Sequence, residues 1–392
     1  MIRRSVFYMA VLLCMCSLLA ACSGLKGKSK GVSSSSSLEK EGPAYPEAHV
    51  QLEAGRDPEN IQAADFNNDG LLDIAVVSHG DSCIKIFWGK GGRDFQPGPV
   101  LGKDMTGFHP DFISATDWDR DGFADLILAA EGTSSVIYFR NMEGKGFKKA
   151  GAISVRYPPK GIAVADLDGD GNMDIVLGPY SSGNIVVLWG RRQPLFEFDT
   201  TEIEAGDYAS SVCVADWNLD GRPDILWTET EMYNVKVAIN RGGRKFRTNT
   251  LFHRSKEMVE LPRSVITADM NGDGCVDALS PLEIGKAAIV IYGDCKGGVQ
   301  SVERIPAPVW GFRGIGAIAK GKGHPAYIAL GEKLRIFVGF KDMDGKWKLK
   351  EYKAGKVPEN FLFQDMDKDG YIDLLFVDSA GDTASVYYGP LI

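Results

Sequence analysis

One pattern constrains this chain more than any other. The nonapeptide D-x-[DN]-x-D-G-x-x-D occurs six times: DFNNDGLLD at Asp65–Asp73, DWDRDGFAD at Asp117–Asp125, DLDGDGNMD at Asp166–Asp174, DWNLDGRPD at Asp216–Asp224, DMNGDGCVD at Asp269–Asp277 and DMDKDGYID at Asp365–Asp373. Average residue usage makes one chance match in a chain of this length a matter of roughly one in a thousand. Six matches are therefore a repeat. Their starts lie 52, 49, 50 and 53 residues apart, followed by a gap of 96. Half of that gap is again one repeat, which places a seventh unit, without acids, near Ile318–Ala329 (IAKGKGHPAYIA).

The units share an internal grammar. Short apolar runs such as Ile61–Ala64 and Val212–Ala215 lead into the acidic loop, and Leu72–Ser78, Asp174–Leu177, Ile225–Thr228 and Leu374–Val377 leave it. A third run follows at Ile84–Trp88, Val136–Phe139, Ile185–Trp189, Val235–Ile239, Ile289–Tyr292, Leu334–Val338 and Ser385–Tyr388. After a Gly-rich turn, Phe95, Phe147, Phe196, Phe246 and Trp347 open a fourth. Runs of Val, Ile and aromatics cut by Gly are strand signals, and no run carries a sustained helical period. Four strands per unit of this length predict an all-β fold, a seven-bladed β-propeller with four-stranded blades. The last unit stops at Ile392 after its third strand, while AHVQLEA (Ala48–Ala54) precedes the first loop without a blade of its own. The N-terminal strand is thus expected to complete the seventh blade and remove the open edge. The propeller is expected over residues 43–392.

The loops suit a hard divalent cation. Such an ion takes several oxygens at about 2.3–2.6 Å. Positions 1, 3, 5 and 9 supply them: Asp65, Asn67, Asp69 and Asp73; Asp117, Asp119, Asp121 and Asp125; Asp166, Asp168, Asp170 and Asp174; Asp216, Asn218, Asp220 and Asp224; Asp269, Asn271, Asp273 and Asp277; Asp365, Asp367, Asp369 and Asp373. A backbone carbonyl at position 7 adds a donor, and Gly at position 6 permits the sharp bend. So many protein oxygens favour Ca²⁺ over Mg²⁺, with about six sites. An EF-hand would need Glu at position 12, where Val76, Leu128, Leu177, Trp227, Ser280 and Phe376 stand. Asp-Gly turns also make good hairpins, but that does not account for acids at positions 1, 3 and 9. Loops with four Asp are expected to bind at least as tightly as those with Asn67, Asn218 or Asn271. Around Ala319–Pro325, Lys320 and Lys322 fall where acids belong, so that loop is expected to hold an ammonium group rather than a metal.

On these loops and their spacing the chain resembles the FG-GAP/VCBS repeat family, which includes the integrin α-subunit propeller. The resemblance covers nearly all of residues 43–392 and implies Ca²⁺ in the loop between the first and second strands of a blade.

The N-terminus reads as an address. Arg3 and Arg4 precede an apolar run, Val6–Leu19, too short to span a bilayer as a stable helix. Leu19-Ala20-Ala21-Cys22 resembles a bacterial lipobox, which implies a signal peptide over 1–21 and lipidation of Cys22. An uncleaved anchor and an ordinary secretory signal are the alternatives. Residues 22–42 are rich in Gly, Ser and Lys and read as a flexible tether. The expected location is the bacterial cell envelope, lipid-anchored at the outer membrane, with the side of that membrane open.

Export permits disulfides. Cys275 and Cys295 lie on turns that share one face of a blade and are expected to pair, two free thiols being the alternative. Cys83 and Cys213 read as buried free thiols. His49, His79, His109, His253 and His324 are scattered and read as packing or surface residues. No nucleophile motif, zinc signature or phosphate loop occurs, and no separate catalytic domain is legible. The face opposite the acidic loops carries Phe108, His109, Tyr157, Tyr180, Tyr208, Tyr233, Trp310 and Arg313, an aromatic set suited to a protein or glycan partner. The expectation is a non-enzymatic, calcium-binding interaction module. A carbohydrate-active enzyme of lyase or hydrolase type and an envelope assembly scaffold are the alternatives. The net charge of −8 argues against nucleic acid as a partner. Much of that acidity is a demand for metal, however. Losing Arg3 and Arg4 with a leader takes the balance to −10, and six divalent ions return twelve positive charges.

Overall fold

The computed structural model describes residues 44–392, apart from 180, 193–194, 207, 230–231, 254–260, 308–310, 313, 322–323 and 343. Cys22, Tyr180, Trp310, Arg313 and Lys322 therefore lie outside the described residues. The compact unit runs Pro43–Ile392.

The described residues form seven four-stranded antiparallel sheets, each an up-and-down meander. Blade 1 is Pro58–Ala64, Asp73–Ser78, Cys83–Gly89 and Phe95–Leu101. The first strands of blades 2 to 7 are Pro110–Thr116, Pro159–Ala165, Ala209–Ala215, Ile266–Ala268, Gly314–Ile318 and Pro358–Gln364. First strands of neighbouring blades touch one another around the ring, from blade 7 back to blade 1, so they line its axis. Second strands such as Asp73–Ser78 and Asp174–Pro179 are buried along their whole length, sandwiched between adjacent blades. Fourth strands alternate exposed and half-buried residues and face solvent.

The ring closes as the sequence predicts. His49–Glu53 pairs antiparallel with Thr383–Tyr387, from His49 opposite Tyr387 to Glu53 opposite Thr383, and so becomes the fourth strand of blade 7. No sheet edge is left at the join between chain ends.

Seven hydrophobic clusters hold the described residues together, and each is the interface between two consecutive blades. Six of them contain the residue at loop position 2: Phe66, Trp118, Leu167, Trp217, Met270 and Met366. That residue wedges its side chain between its own blade and the next. The interface between blades 6 and 7 has no such wedge; Tyr327, Phe361, Tyr387 and Leu391 fill it instead.

One local expectation is corrected. Phe196 does not open a fourth strand, which begins at Asp199. Phe196 sits at φ 65° and is buried against Trp118 and Tyr138, where ring contact outweighs strand pairing. Among the described residues the only helical turns are Lys103–Thr106 and Glu131–Thr133, both in connections, so the all-β class holds.

A chain beginning at Gly55 lacks the closing strand and exposes the backbone edge of Thr383–Tyr387. It should unfold at a lower temperature than the longer chain and self-associate, as read by thermal unfolding and light scattering; equal melting and a monodisperse monomer would contradict closure.

Candidate functional site

Each acidic loop is organised by its own carboxylates. The position-1 Asp accepts the N–H of the position-6 Gly in all six loops, at 2.8–3.0 Å. The position-5 Asp accepts the N–H of position 7, again in all six. The position-4 residue takes φ between 54° and 77° in every loop, at Asn68, Arg120, Gly169, Leu219, Gly272 and Lys368. A left-handed conformation costs glycine little, which accounts for the second Gly of the third and fifth loops.

The position-9 aspartate has a different job. Asp73, Asp125, Asp174, Asp224, Asp277 and Asp373 are completely buried. One oxygen of each accepts the N–H of position 2: Phe66, Trp118, Leu167, Trp217, Met270 and Met366, at 2.7–3.0 Å. The other accepts an N–H at the end of the third strand: Gly89, Asn141, Gly190, Asn240, Gly293 and Gly389, at 2.6–3.1 Å. One carboxylate thus ties the loop, the second strand and the third strand together. Burial pushes these carboxyls up to about 6, and to about 7 at Asp174, against the partial offset of their backbone hydrogen bonds.

The loops have the chemistry of a cation site. Carboxylate oxygens of Asp117, Asp119 and Asp125 lie within 4.8 Å of one another, as do those of Asp166, Asp168 and Asp174, and of Asp365, Asp367 and Asp373. Asp365 Oδ1 is buried and accepts no hydrogen bond. An all-oxygen donor set, gathered this closely around an orphaned acceptor and beside a desolvated carboxylate, fits a hard divalent ion.

Position 3 follows a rule that the sequence did not disclose. Where it is Asn, the amide donates to the position-5 carboxylate: Asn67 to Asp69, Asn218 to Asp220 and Asn271 to Asp273, at 2.8–3.0 Å. Where it is Asp, a guanidinium meets it. Arg140 Nε lies 2.5 Å from Asp119, Arg244 Nε 2.8 Å from Asp168 and Arg93 Nε 2.6 Å from Asp367. Arg244 reaches from blade 4 to the loop of blade 3, and Arg93 from blade 1 to that of blade 7. The extra acid of each four-Asp loop is thus paired with an arginine, while in the Asn218 loop Arg222 pairs with Asp220 at position 5.

The seventh loop lacks this machinery. Tyr327 stands where the position-9 aspartate would be, paired with Ile318 as Asp73 is with Ala64. Gly321 N donates to His324 O, and His324 stacks on Tyr327. Cys275 and Cys295 are joined by a disulfide that links the fifth loop to the following turn. Cys83 and Cys213 are free, Cys83 buried and Cys213 partly so.

On the opposite face, only Phe108 of the described aromatic set is exposed, at 48%, with Lys103 Nζ 4.6 Å over its ring. His109, Tyr157, Tyr208 and Tyr233 are half-buried, and Tyr157 packs into the interface of blades 2 and 3. Two other features stand out there. A recess of about 350 Å³ is lined by Glu283, Gly311, Gly331, Glu332, Lys333, Val357 and Pro358. Glu332 Oε2 is buried in it and accepts no hydrogen bond. Ile284 and Leu334, next in sequence to Glu283 and Lys333, are exposed.

The histidines are not all scattered. His79 Nε2 and His109 Nδ1 stand 2.5 Å apart, and His79 Nδ1 lies 3.5 Å from Asp111. The Asp111 carboxylate raises the His79 pKa above its ordinary value. Sequence spacing gave no sign of this, because these residues come from different blades. The wedge at position 2 was missed as well, although the sequence carries its signal: in all six acidic loops that position is a large apolar residue.

The sequence profile of the FG-GAP-like repeat matches residues 65–128, 117–177, 166–227 and 220–280, more than half of the chain. The chain belongs to the FG-GAP-like repeat family. It is 28% identical over 162 residues to integrin alpha-4 of Xenopus laevis, an alignment covering 36% of this chain and 16% of that protein. The propeller is similar to the BBS1N chain solved in complex with ARL6DN, with a TM-score of 0.64 and 12% identity, over 89% of this chain and 98% of that one. It is also similar to virginiamycin B lyase from Staphylococcus aureus, with a TM-score of 0.56 and 13% identity over 86% of this chain and 98% of that one. An Agrocybe aegerita lectin that recognises non-reducing terminal N-acetylglucosamine matches with a TM-score of 0.54 and 19% identity, over 79% of this chain and 81% of that one. At these identities the solved structures speak for the fold.

Asp224→Ala leaves two buried N–H groups without an acceptor and should cost about 3 kcal/mol, even in chelator. Asn218→Ala in the same loop should cost under about 1 kcal/mol under the same conditions. Denaturant unfolding in chelator measures both; equal effects would refute a separate structural role for position 9.

Proposed function

We propose that this chain is a calcium-stabilised propeller of the bacterial cell envelope, lipid-anchored through Cys22, that acts as a binding module for a protein or glycan partner. The observation that carries the binding reading is the recess between blades 5, 6 and 7. Glu332 Oε2 is buried there and accepts no hydrogen bond, with Arg335 Nε 3.9 Å away and Lys333 and Glu283 beside it. An unmet buried acceptor costs free energy that an incoming hydroxyl, amide or ammonium would recover. The rigid ring holds these loops in place without spending entropy on binding. Both partner classes have precedent in the fold, since one similar chain was solved with a protein and another recognises a sugar.

The calcium reading rests on the oxygen-only loops and on family membership. Ions bound to the native state alone add stability by mass action. Because each loop lies against the neighbouring blade, as where Asn141 Nδ2 donates to Phe66 O and Asn240 Nδ2 to Leu167 O, occupancy would brace the ring. The envelope location rests on the N-terminal sequence. No helix among the described residues is long and apolar enough to cross a membrane.

Excess chelator should lower the melting temperature, and Ca²⁺ should restore it; an unchanged melt would remove calcium from the reading. Arg140→Met frees Asp119 and should lower the Ca²⁺ concentration that gives half-maximal stabilisation. An unchanged titration would show that the arginine does not compete. Crosslinked capture from membranes should return a partner with the native chain and lose it with Glu332→Gln; capture indifferent to that change would place the binding surface elsewhere.

A further inference from the structure

The end of the ring away from the aspartate loops holds a second set of metal-ligating groups, built from different chemistry. Glu59 and Asp111 are the second residues of the first strands of blades 1 and 2. Both fall at β-bulges: Pro58 pairs with Ser78 and Asn60 with Val77, while Pro110 pairs with Ala130 and Phe112 with Ala129, so neither acid has a ladder partner. Bulges of this kind re-aim a side chain. His79 follows the second strand of blade 1. One ligating atom each from Glu59, His79 and Asp111 lies within 4.8 Å of the others.

Asp111 is completely buried, and neither of its carboxylate oxygens accepts a hydrogen bond. Its nearest cationic neighbours stop short of hydrogen-bond contact, His79 Nδ1 at 3.5 Å and Lys160 Nζ at 3.6 Å. Lys160 is shared with Glu131 Oε2, also at 3.6 Å. Glu59, Asp111 and Glu131 gather at this end of the axis around Lys160. A buried carboxylate that cationic groups approach only to 3.5–3.6 Å keeps an unmet hydrogen-bonding demand, which a directly coordinated cation would satisfy.

We propose that Glu59, His79 and Asp111 bind a divalent transition-metal ion of the Zn²⁺ class, at a site separate from the aspartate loops. One imidazole nitrogen with two carboxylates is a donor set for zinc rather than for calcium, which takes oxygen alone. Three protein ligands leave a coordination position for water or a partner's side chain. His79 is already oriented for the task. With its proton on Nε2, it donates to His109 Nδ1 at 2.5 Å and turns the Nδ1 lone pair toward Asp111. An outer hydrogen bond of this type typically fixes a ligating histidine. Without metal, the other tautomer has an acceptor in Pro110 O, 3.2 Å from His79 Nδ1, so the site can also rest empty.

The test uses untagged protein saturated with Ca²⁺, so that the aspartate loops are filled, with Cys83 and Cys213 blocked. Co²⁺ is then titrated and followed by its visible absorption, and Zn²⁺ is used to displace it. The expected result is a single equivalent of Co²⁺ with a nitrogen-containing ligand field, displaced by one Zn²⁺. His79→Gln and Asp111→Asn should each abolish it, and replacing His109 by Phe should weaken it about tenfold. Lys160→Met removes the competing ammonium and should tighten binding. Circular dichroism checks that each variant is folded; if one is not, the remaining variants carry the test. No Co²⁺ bound in the Ca²⁺-loaded protein, or binding that persists in folded His79→Gln or Asp111→Asn protein, overturns the proposal.

Discussion

The structure depends on a carboxylate placed where almost no carboxylate is affordable. The position-9 aspartate of each acidic loop is fully buried and accepts two backbone N–H groups, one from its own loop and one from the end of the third strand. It does for a blade what a turn cannot do alone, joining three chain segments at one point. The N–H of position 2 that it captures belongs to the residue whose side chain wedges into the next blade. A single charge therefore couples the order within a blade to the packing between blades. Its desolvation is an unfavourable term that two hydrogen bonds only partly offset, and a nearby cation would relieve the remainder.

The same coupling explains why the loops sit where they do. Each lies against the turn of a neighbouring blade, and side chains cross that junction: Arg93 to Asp367, Arg244 to Asp168, and Asn68 Nδ2 to Gly122 O. Arginine meets position 3 where it is Asp, and an internal amide hydrogen bond forms where it is Asn. Both arrangements moderate repulsion among carboxylates crowded into one turn. The blade 6 loop, which has neither acids nor a wedge, is tolerated because the adjacent interface is filled by Tyr327, Phe361 and Tyr387. The ring thus needs most of its loops to be alike, but not all of them.

The two ends of the ring present different physics. The aspartate end is regular, because each blade builds it from nine consecutive residues. The other end is irregular, because it is assembled from bulged first strands and variable connections. Phe108 stands exposed there, the Glu332 recess opens there, and Glu59, His79 and Asp111 converge there. Regularity serves the fold, and irregularity leaves room for function.

The repeat spacing and the alternation of apolar runs with Gly-rich turns determined the blade count, the four strands per blade and the closure by Ala48–Ala54. These are local or periodic properties, and a period survives translation into sequence. The acidic loops were legible for the same reason, being contiguous. Phe196 was misread because its ring packs on Trp118 and Tyr138, a contact between blades that no local pattern records. The aromatic set on the far face could be named but not sorted, since exposure depends on what the neighbouring blade covers. The arginine partners of Asp168 and Asp367, 76 and 274 residues away along the chain, were invisible for that reason too. Glu59, His79, His109 and Asp111 carry no motif at all. Only the packing of blade 1 against blade 2 turns four scattered residues into one cluster.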